Sequence, residues 1–235
     1  MNPNTLVSIH GYAGDQHQIT QMMGQQEHHK CPIVIMSPVD SPITKIGPHI
    51  CRHVGKRQYI GKLSLERQRA QLAALLDYPF EWYLANDSDS LCLSPKLPDY
   101  LYERKGILWS NEVSDMMHVR PANYGWPRLA FQPPYFFSRE VIERLLSVNV
   151  APEPQTPFID WWMMAVCVKA GVPHRNYPDG MSCPTNDRHS LGVMSDAVAN
   201  RGAIFVHSIK TTDALHQIVH DRRRRTNIEK AQGRT

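Results

Sequence analysis

Short apolar runs alternate with amphipathic stretches along this chain. Thr5 to Ile9 is a β-rich run closed by Gly11, which predicts a strand and a turn. Gln16 to Glu27 is polar and fits a surface helix. Pro32 to Met36 (PIVIM) is continuously apolar, as a strand buried on both faces should be. Leu65, Leu72, Leu75 and Leu76 then recur at helical spacing behind Ser64, a good N-cap residue, and Pro79 stops the pattern. Glu81 to Ala85 and Ile107 to Ser110 read as strands, and Gln132 to Phe137 as extended chain. Ser138 is placed to cap a helix reaching Leu146. A second helix, Trp161 to Ala170, ends at Gly171, the usual place for a left-handed closing residue. Val172 to Tyr177 and Ala203 to His207 are late strands. Strands alternating with helices predict an α/β domain: a mainly parallel central sheet flanked by helices.

At 235 residues and 42% hydrophobic the chain suits one such domain. No apolar run approaches the roughly 20 residues that span a bilayer, and the first residues show no charged start followed by a long apolar stretch. A soluble, cytoplasmic protein is the expectation. Five cysteines, at 31, 51, 92, 167 and 183, are odd in number and widely spaced, which fits reduced thiols better than a disulfide frame.

Charge changes the picture in two places. Residues 220–235 hold six Lys/Arg against two Asp/Glu, and the rest of the chain is balanced. The excess centres on Arg222, Arg223, Arg224 and Arg225. Such a run either meets phosphates or is simply a solvated tail. Between Asp40 and Glu66 no acid occurs, while Lys45, Arg52, Lys56, Arg57 and Lys62 all do. With Gly47, Pro48, Gly55 and Gly61, this stretch reads as a long basic loop.

Asp87-Ser88-Asp89 is the most informative local feature. It follows a hydrophobic strand, so its carboxylates should emerge at the strand's C-terminal edge, where open α/β sheets bind ligands. Two carboxylates one residue apart suit a hard divalent ion such as Mg²⁺ or Mn²⁺. Asp and Ser are also ordinary turn residues, so the motif alone does not decide. G-x-x-x-x-G-K-[ST] and G-x-S-x-G are both absent, which argues against P-loop and serine-hydrolase chemistry.

The order of features resembles the GT-A glycosyltransferases. An amphipathic helix, a buried strand with Trp82 and Tyr83, and then D-x-D is their central arrangement. LVSIHGYAGD resembles their first strand and donor-binding turn. PYFFSREVIERLL resembles their acceptor segment, FIDWWMMAVCVKAGV the short acidic motif that opens a helix, and GAIFVHSIKT the terminal strand whose His completes a metal site. In the acidic motif Ile159 stands where the family often has Glu, leaving Asp160 as the carboxylate. Pro133-Pro134-Tyr135 replaces the usual run of small residues.

The resemblance implies a domain over 1–219, with a donor half of about 1–110, an acceptor half of 111–219, and the basic segment 220–235 beyond it. It implies Asp87, Asp89 and His207 as metal ligands, and Lys210 on the donor phosphates. Ile9, His10, Tyr12 and Asp40 would lie near the nucleoside, with Lys62 and Arg67 reaching the donor. The donor would be a nucleotide-sugar, UDP-linked by analogy. Asp160 would be the general base of an inverting transfer, though an Asp there is equally an N-cap. Trp161 and Trp162 cannot share one helix face, so at least one belongs to the core.

The leading acceptor is a hydroxymethylated pyrimidine in DNA, as for small viral enzymes that glycosylate modified bases. The arginine run and the basic stretch suit phosphates, and extracting a base from the stack would use aromatic side chains. A protein side chain, a soluble glycan and a membrane-surface glycolipid are rivals. From other classes, His28, His29, Cys31, His49, Cys51 and His53 would make a zinc module if they converged, and a nucleotide-binding protein without catalysis is the remaining alternative.

Overall fold

The computed structural model describes residues 4–10, 32–42, 44–46, 49–55, 62–94, 96–113, 130–149, 159–178, 180–183, 191–207, 209 and 211–233; at 62–65, 112–113, 130–132, 159–162, 183 and 212 this covers the backbone only.

Eleven strands and five helices lie among these residues. The strands are β1 (Thr5–His10), β2 (Ile33–Ser37), β3 (Lys45–Ile46), β4 (His49–His53), β5 (Trp82–Asp87), β6 (Leu91–Cys92), β7 (Leu108–Val113), β8 (Ala130–Ser138), β9 (His174–Asn176), β10 (Ser182–Cys183) and β11 (Phe205–Val206). The helices are α1 (Lys62–Leu75), α2 (Arg139–Ser147), α3 (Ile159–Ala170), α4 (Leu191–Ala199) and α5 (Thr212–Ala231).

Eight strands form one sheet in the order β3-β4-β2-β1-β5-β8-β7-β9. The pairs β4–β2, β2–β1, β1–β5 and β7–β9 are parallel, while β8 runs antiparallel to both neighbours and β3 antiparallel to β4. The sheet is therefore mainly parallel, as expected. Its central strands read as apolar runs because both faces are covered: every residue of β1 is buried.

Alternation sorts the strand residues into two layers. Leu6, Met36, Tyr83, Ala85 and Phe137 meet α1, α2 and α3 through Leu72, Leu75, Val141, Leu145 and Val166. Val7, Ile9, Ile35, Trp82, Leu84 and Phe136 face the other way, toward Leu97, Leu101, Tyr177, Met181 and Phe205. Among the described residues the α-helices that pack directly on the sheet, α1, α2 and α3, lie on the first of these faces. The second face is roofed by a three-stranded sheet in the order β10-β11-β6. Behind that roof, α4 and α5 pack on Leu91, Leu93, Val206 and Ile209.

The basic stretch after Asp40 differs from the loop expected of it. It carries β3 and β4, and β4 pairs with β2 through Ile35–Cys51, Met36–Arg52 and Ser37–His53. Edge strands tolerate polar and cationic side chains, so hydrophobic pattern alone does not reveal them. Helix α1 starts two residues before Ser64, and α3 starts at Ile159, which puts Asp160 inside the first turn. Gly171, at φ 61°, closes α3 as expected. The arginine run lies within α5.

On the sheet's far edge Ser110 Oγ and His174 Nε2 are 2.8 Å apart, and burial lowers the His174 pKa to about 4. A folded-state value below the unfolded 6.5 favours folding fully above pH 6.5, and that contribution is lost as pH falls toward 4. Between pH 7 and pH 5 this histidine is expected to remove about 1–2 kcal/mol of stability. Urea unfolding at the two pH values checks it. His174→Asn should lose that share of the pH dependence, and an unchanged difference would refute the assignment.

Candidate metal centre

Parallel strands deliver their C-terminal ends to one edge, and β1 and β5 finish together: His10 is paired with Asp87. Beyond Asp87 the chain makes a tight turn, in which the Ser90 N–H donates to the Asp87 carbonyl at 3.1 Å. The turn leads into β6, which pairs antiparallel with β11 through Leu91–Val206 and Cys92–Phe205. That register sets His207, the residue after β11, beside the turn. A further backbone bond, Ile209 N–H to the Asp89 carbonyl at 2.9 Å, ties the two segments together.

Three side chains converge as a result. One ligand atom each from Asp87, Asp89 and His207 lies within 4.8 Å of the others. His207 Nε2 stands 3.4 Å from Asp89 Oδ1, and both side chains are mostly shielded. Two ligands of one ion at about 2.1 Å each stand at most about 4.2 Å apart, so small side-chain rotations would close the set around a cation. Two carboxylates and one imidazole suit Mn²⁺ or Mg²⁺, the imidazole favouring the former.

Beside this cluster lies a buried polar floor. His10, 6% exposed, has its Nε2 3.4 Å from Ser8 Oγ. Burial and then the Arg67 charge lower its pKa to about 3, so it is a neutral imidazole. Arg67, Gln68 and Gln71 of α1 are all buried, at positions where an amphipathic helix would carry apolar residues. Of the three, Arg67 is tied to the cluster's surroundings, through its charge beside His10.

The other expected site residues fall as follows. Ile9 is 1% exposed and belongs to the core layer facing away from His10, so its side chain does not reach the edge. Asp40 is exposed in the turn after β2, on the same edge of the sheet. Lys62 opens α1 and Asp160 lies in the first turn of α3, both with side chains outside the described set. Tyr12 and Lys210 lie outside the described residues, as do His28, His29 and Cys31. His49, Cys51 and His53 alternate along β4, where a rise of about 3.3 Å per residue holds successive same-face side chains over 6 Å apart. Among the described residues only Asp87, Asp89 and His207 form a cluster able to hold a metal ion.

Gly55 shapes this region. It sits at φ +66°, where its carbonyl accepts from Val39 N–H at 2.7 Å. A Cβ there would stand 2.6 Å from Arg67 Cγ and 2.8 Å from Arg67 Cα. Backbone cannot yield as a side-chain tip can, so Gly55→Ala must push α1 away. Left-handed strain and overpacking together are expected to cost about 2–4 kcal/mol. Chemical denaturation checks this, and a cost within experimental error would show that the contact is not tight.

A mainly parallel α/β sheet with an Asp-x-Asp turn at its strand ends and a histidine just past a late strand is what the resemblance of the sequence implied. No family model and no curated protein matches the sequence. Solved structures are similar in fold. A glycosyltransferase involved in the glycosylation of the major capsid of PBCV-1 superposes with a TM-score of 0.51 at 12% identity, over 92% of this chain and 98% of that one. The apo structure of WbbM, a bifunctional glycosyltransferase, gives a TM-score of 0.52 at 13% identity over 98% of this chain. This chain spans about half the length of that protein, 52%. At such identities the likeness is one of fold. No helix among the described residues is long and apolar enough to cross a membrane.

Proposed function

We propose that this chain is a metal-dependent glycosyltransferase that moves a sugar from a nucleotide-sugar donor, UDP-linked by analogy, to an acceptor hydroxyl. The observation that carries the reading is the convergence of Asp87, Asp89 and His207 where β1 and β5 end. Asp87, Asp89 and His207 would hold a divalent ion, which would supply Lewis-acid neutralisation of a departing diphosphate. The protein's own groups do the rest. Asp87 and Asp89 hold their carboxylates on a turn fixed by backbone bonds at Ser90 and Ile209. Arg67, buried beside a neutral His10, places a fixed positive charge at the same edge. Lys210, three residues beyond His207, would add a second charge toward the donor phosphates. Asp160 would take the proton from the attacking hydroxyl, giving inversion. A hydroxymethylpyrimidine in DNA is the leading acceptor, because its phosphates match the basic segments of the chain.

A thermal-shift screen of nucleoside diphosphates with and without Mn²⁺ tests the reading, since a ligand that binds only the folded state raises the melting temperature. UDP with Mn²⁺ should raise it by several degrees, and more than either alone. Equal melting temperatures under all conditions would count against the assignment.

A further inference from the structure

Helix α5 presents two faces of different chemistry. Ala214, Leu215 and Ile218 are buried against β6, β11 and α4. The inward side then continues in polar groups that are satisfied. Asp221, 5% exposed, accepts from Ser195 Oγ and from Gln217 Nε2 at 3.0 Å. Arg225 donates to Glu229 at 2.7 Å and to the Asn200 carbonyl at 3.0 Å. Two of the three acids of the helix are thereby used internally.

The outward face is cationic. His216, His220, Arg223, Arg224, Asn227 and Lys230 are exposed and recur at helical spacing. Asp213 is the one acid on this side, in the first turn. From His216 to Lys230 the stripe runs about 21 Å, the length of about six base pairs of duplex. Ile228, 41% exposed, is its single large apolar residue. A helix that beds into a bilayer needs a broad apolar side for the acyl boundary, and here that side is spent on the core. Arginine forks and an asparagine amide suit phosphate oxygens and base edges instead.

The first turn of α5 is close to the metal centre along the chain. Thr211, whose side chain accepts from the Ala214 N–H at 3.1 Å to cap α5, is four residues past His207. We propose that the solvent face of α5 is a docking surface for duplex nucleic acid, gripping the phosphodiester backbone of the acceptor and leading it to the metal centre. This rests on the transferase reading and assigns the surface that would hold its nucleic-acid acceptor.

Fluorescence anisotropy of a labelled 20-base-pair duplex, with the full chain and an Arg223→Ala/Arg224→Ala/Lys230→Ala variant, tests it. Three phosphate contacts predict an affinity falling about 40-fold between 50 and 200 mM NaCl. The variant should bind at least tenfold more weakly at 100 mM, with a shallower salt slope and an unchanged UDP–Mn²⁺ thermal shift. Equal binding by both proteins overturns the proposal. So does co-sedimentation with phosphatidylglycerol vesicles that the variant loses while its duplex binding stays intact. Variant-sensitive duplex binding without any UDP–Mn²⁺ shift would uphold the docking surface and sink the transferase reading instead.

Discussion

On the proposed transferase reading, replacing Asp89 with asparagine is expected to lower sugar transfer about a thousandfold while leaving the fold intact. The substitution is nearly isosteric, and the backbone bond from Ile209 to the Asp89 carbonyl does not involve the side chain. An amide oxygen can still face His207 Nε2 across the present 3.4 Å. What disappears is one of two negative charges in the cluster. Charge neutralisation by a bound cation contributes several kcal/mol to such transfers, and about 4 kcal/mol corresponds to a factor of about a thousand. Removing one carboxylate also relieves repulsion with Asp87, so the ion-free protein should melt no lower than wild type. Three readouts separate the cases: turnover of a nucleotide-sugar, the Mn²⁺-dependent thermal shift, and far-UV circular dichroism. Lost turnover and lost shift with an unchanged spectrum is the expected pattern. Full turnover in Asp89→Asn would remove the metal centre from the mechanism.

The elements that sequence made legible are those whose burial is apolar. β1, β2 and β5 are continuous hydrophobic runs because helices and the small sheet cover both their faces, and α2 shows its core through Val141, Ile142 and Leu145. What escaped has polar or very short burial. β3, β6 and β10 have two residues each, too few for any period to register, whereas the equally short β11 shows because apolar residues flank it from Ala203 on. Helix α5 begins with Ala214, Leu215 and Ile218 inward but continues with buried Asp221 and half-buried Arg225 and Glu229, so its inward stripe reads as charge. The site divides in the same way. Asp87 and Asp89 are neighbours in sequence, and their strand-end position follows from the run before them. His207 follows a strand more than a hundred residues later, and only the β6–β11 register brings it over. The Arg67–His10 approach depends on how α1 crosses the sheet edge, which no local pattern encodes.

Phe136→Ala should be the most destabilising single change in the sheet, at about 3–5 kcal/mol. Phe136 lies on β8 opposite Leu84 of β5 and Trp109 of β7, so it sits between the two halves of the sheet. It is fully buried. Its ring stacks on Trp82 at 5.3 Å with the planes 1° apart, and Tyr102 meets it edge-on at 5.1 Å. Truncation would remove both aromatic contacts and leave a void that the paired strands on either side cannot collapse to fill. Against a typical total of about 5–15 kcal/mol, such a loss brings the protein close to unfolding at physiological temperature. Phe136→Leu refills most of the volume and should cost distinctly less. Ile50→Ala, at a position 78% exposed, should change stability by under about 0.5 kcal/mol. Urea titration of the three variants orders them, with midpoints shifting and slopes constant if unfolding stays two-state. A midpoint for Phe136→Ala no lower than that of Ile50→Ala would mean that the aromatic layer does not hold the two halves of the sheet together.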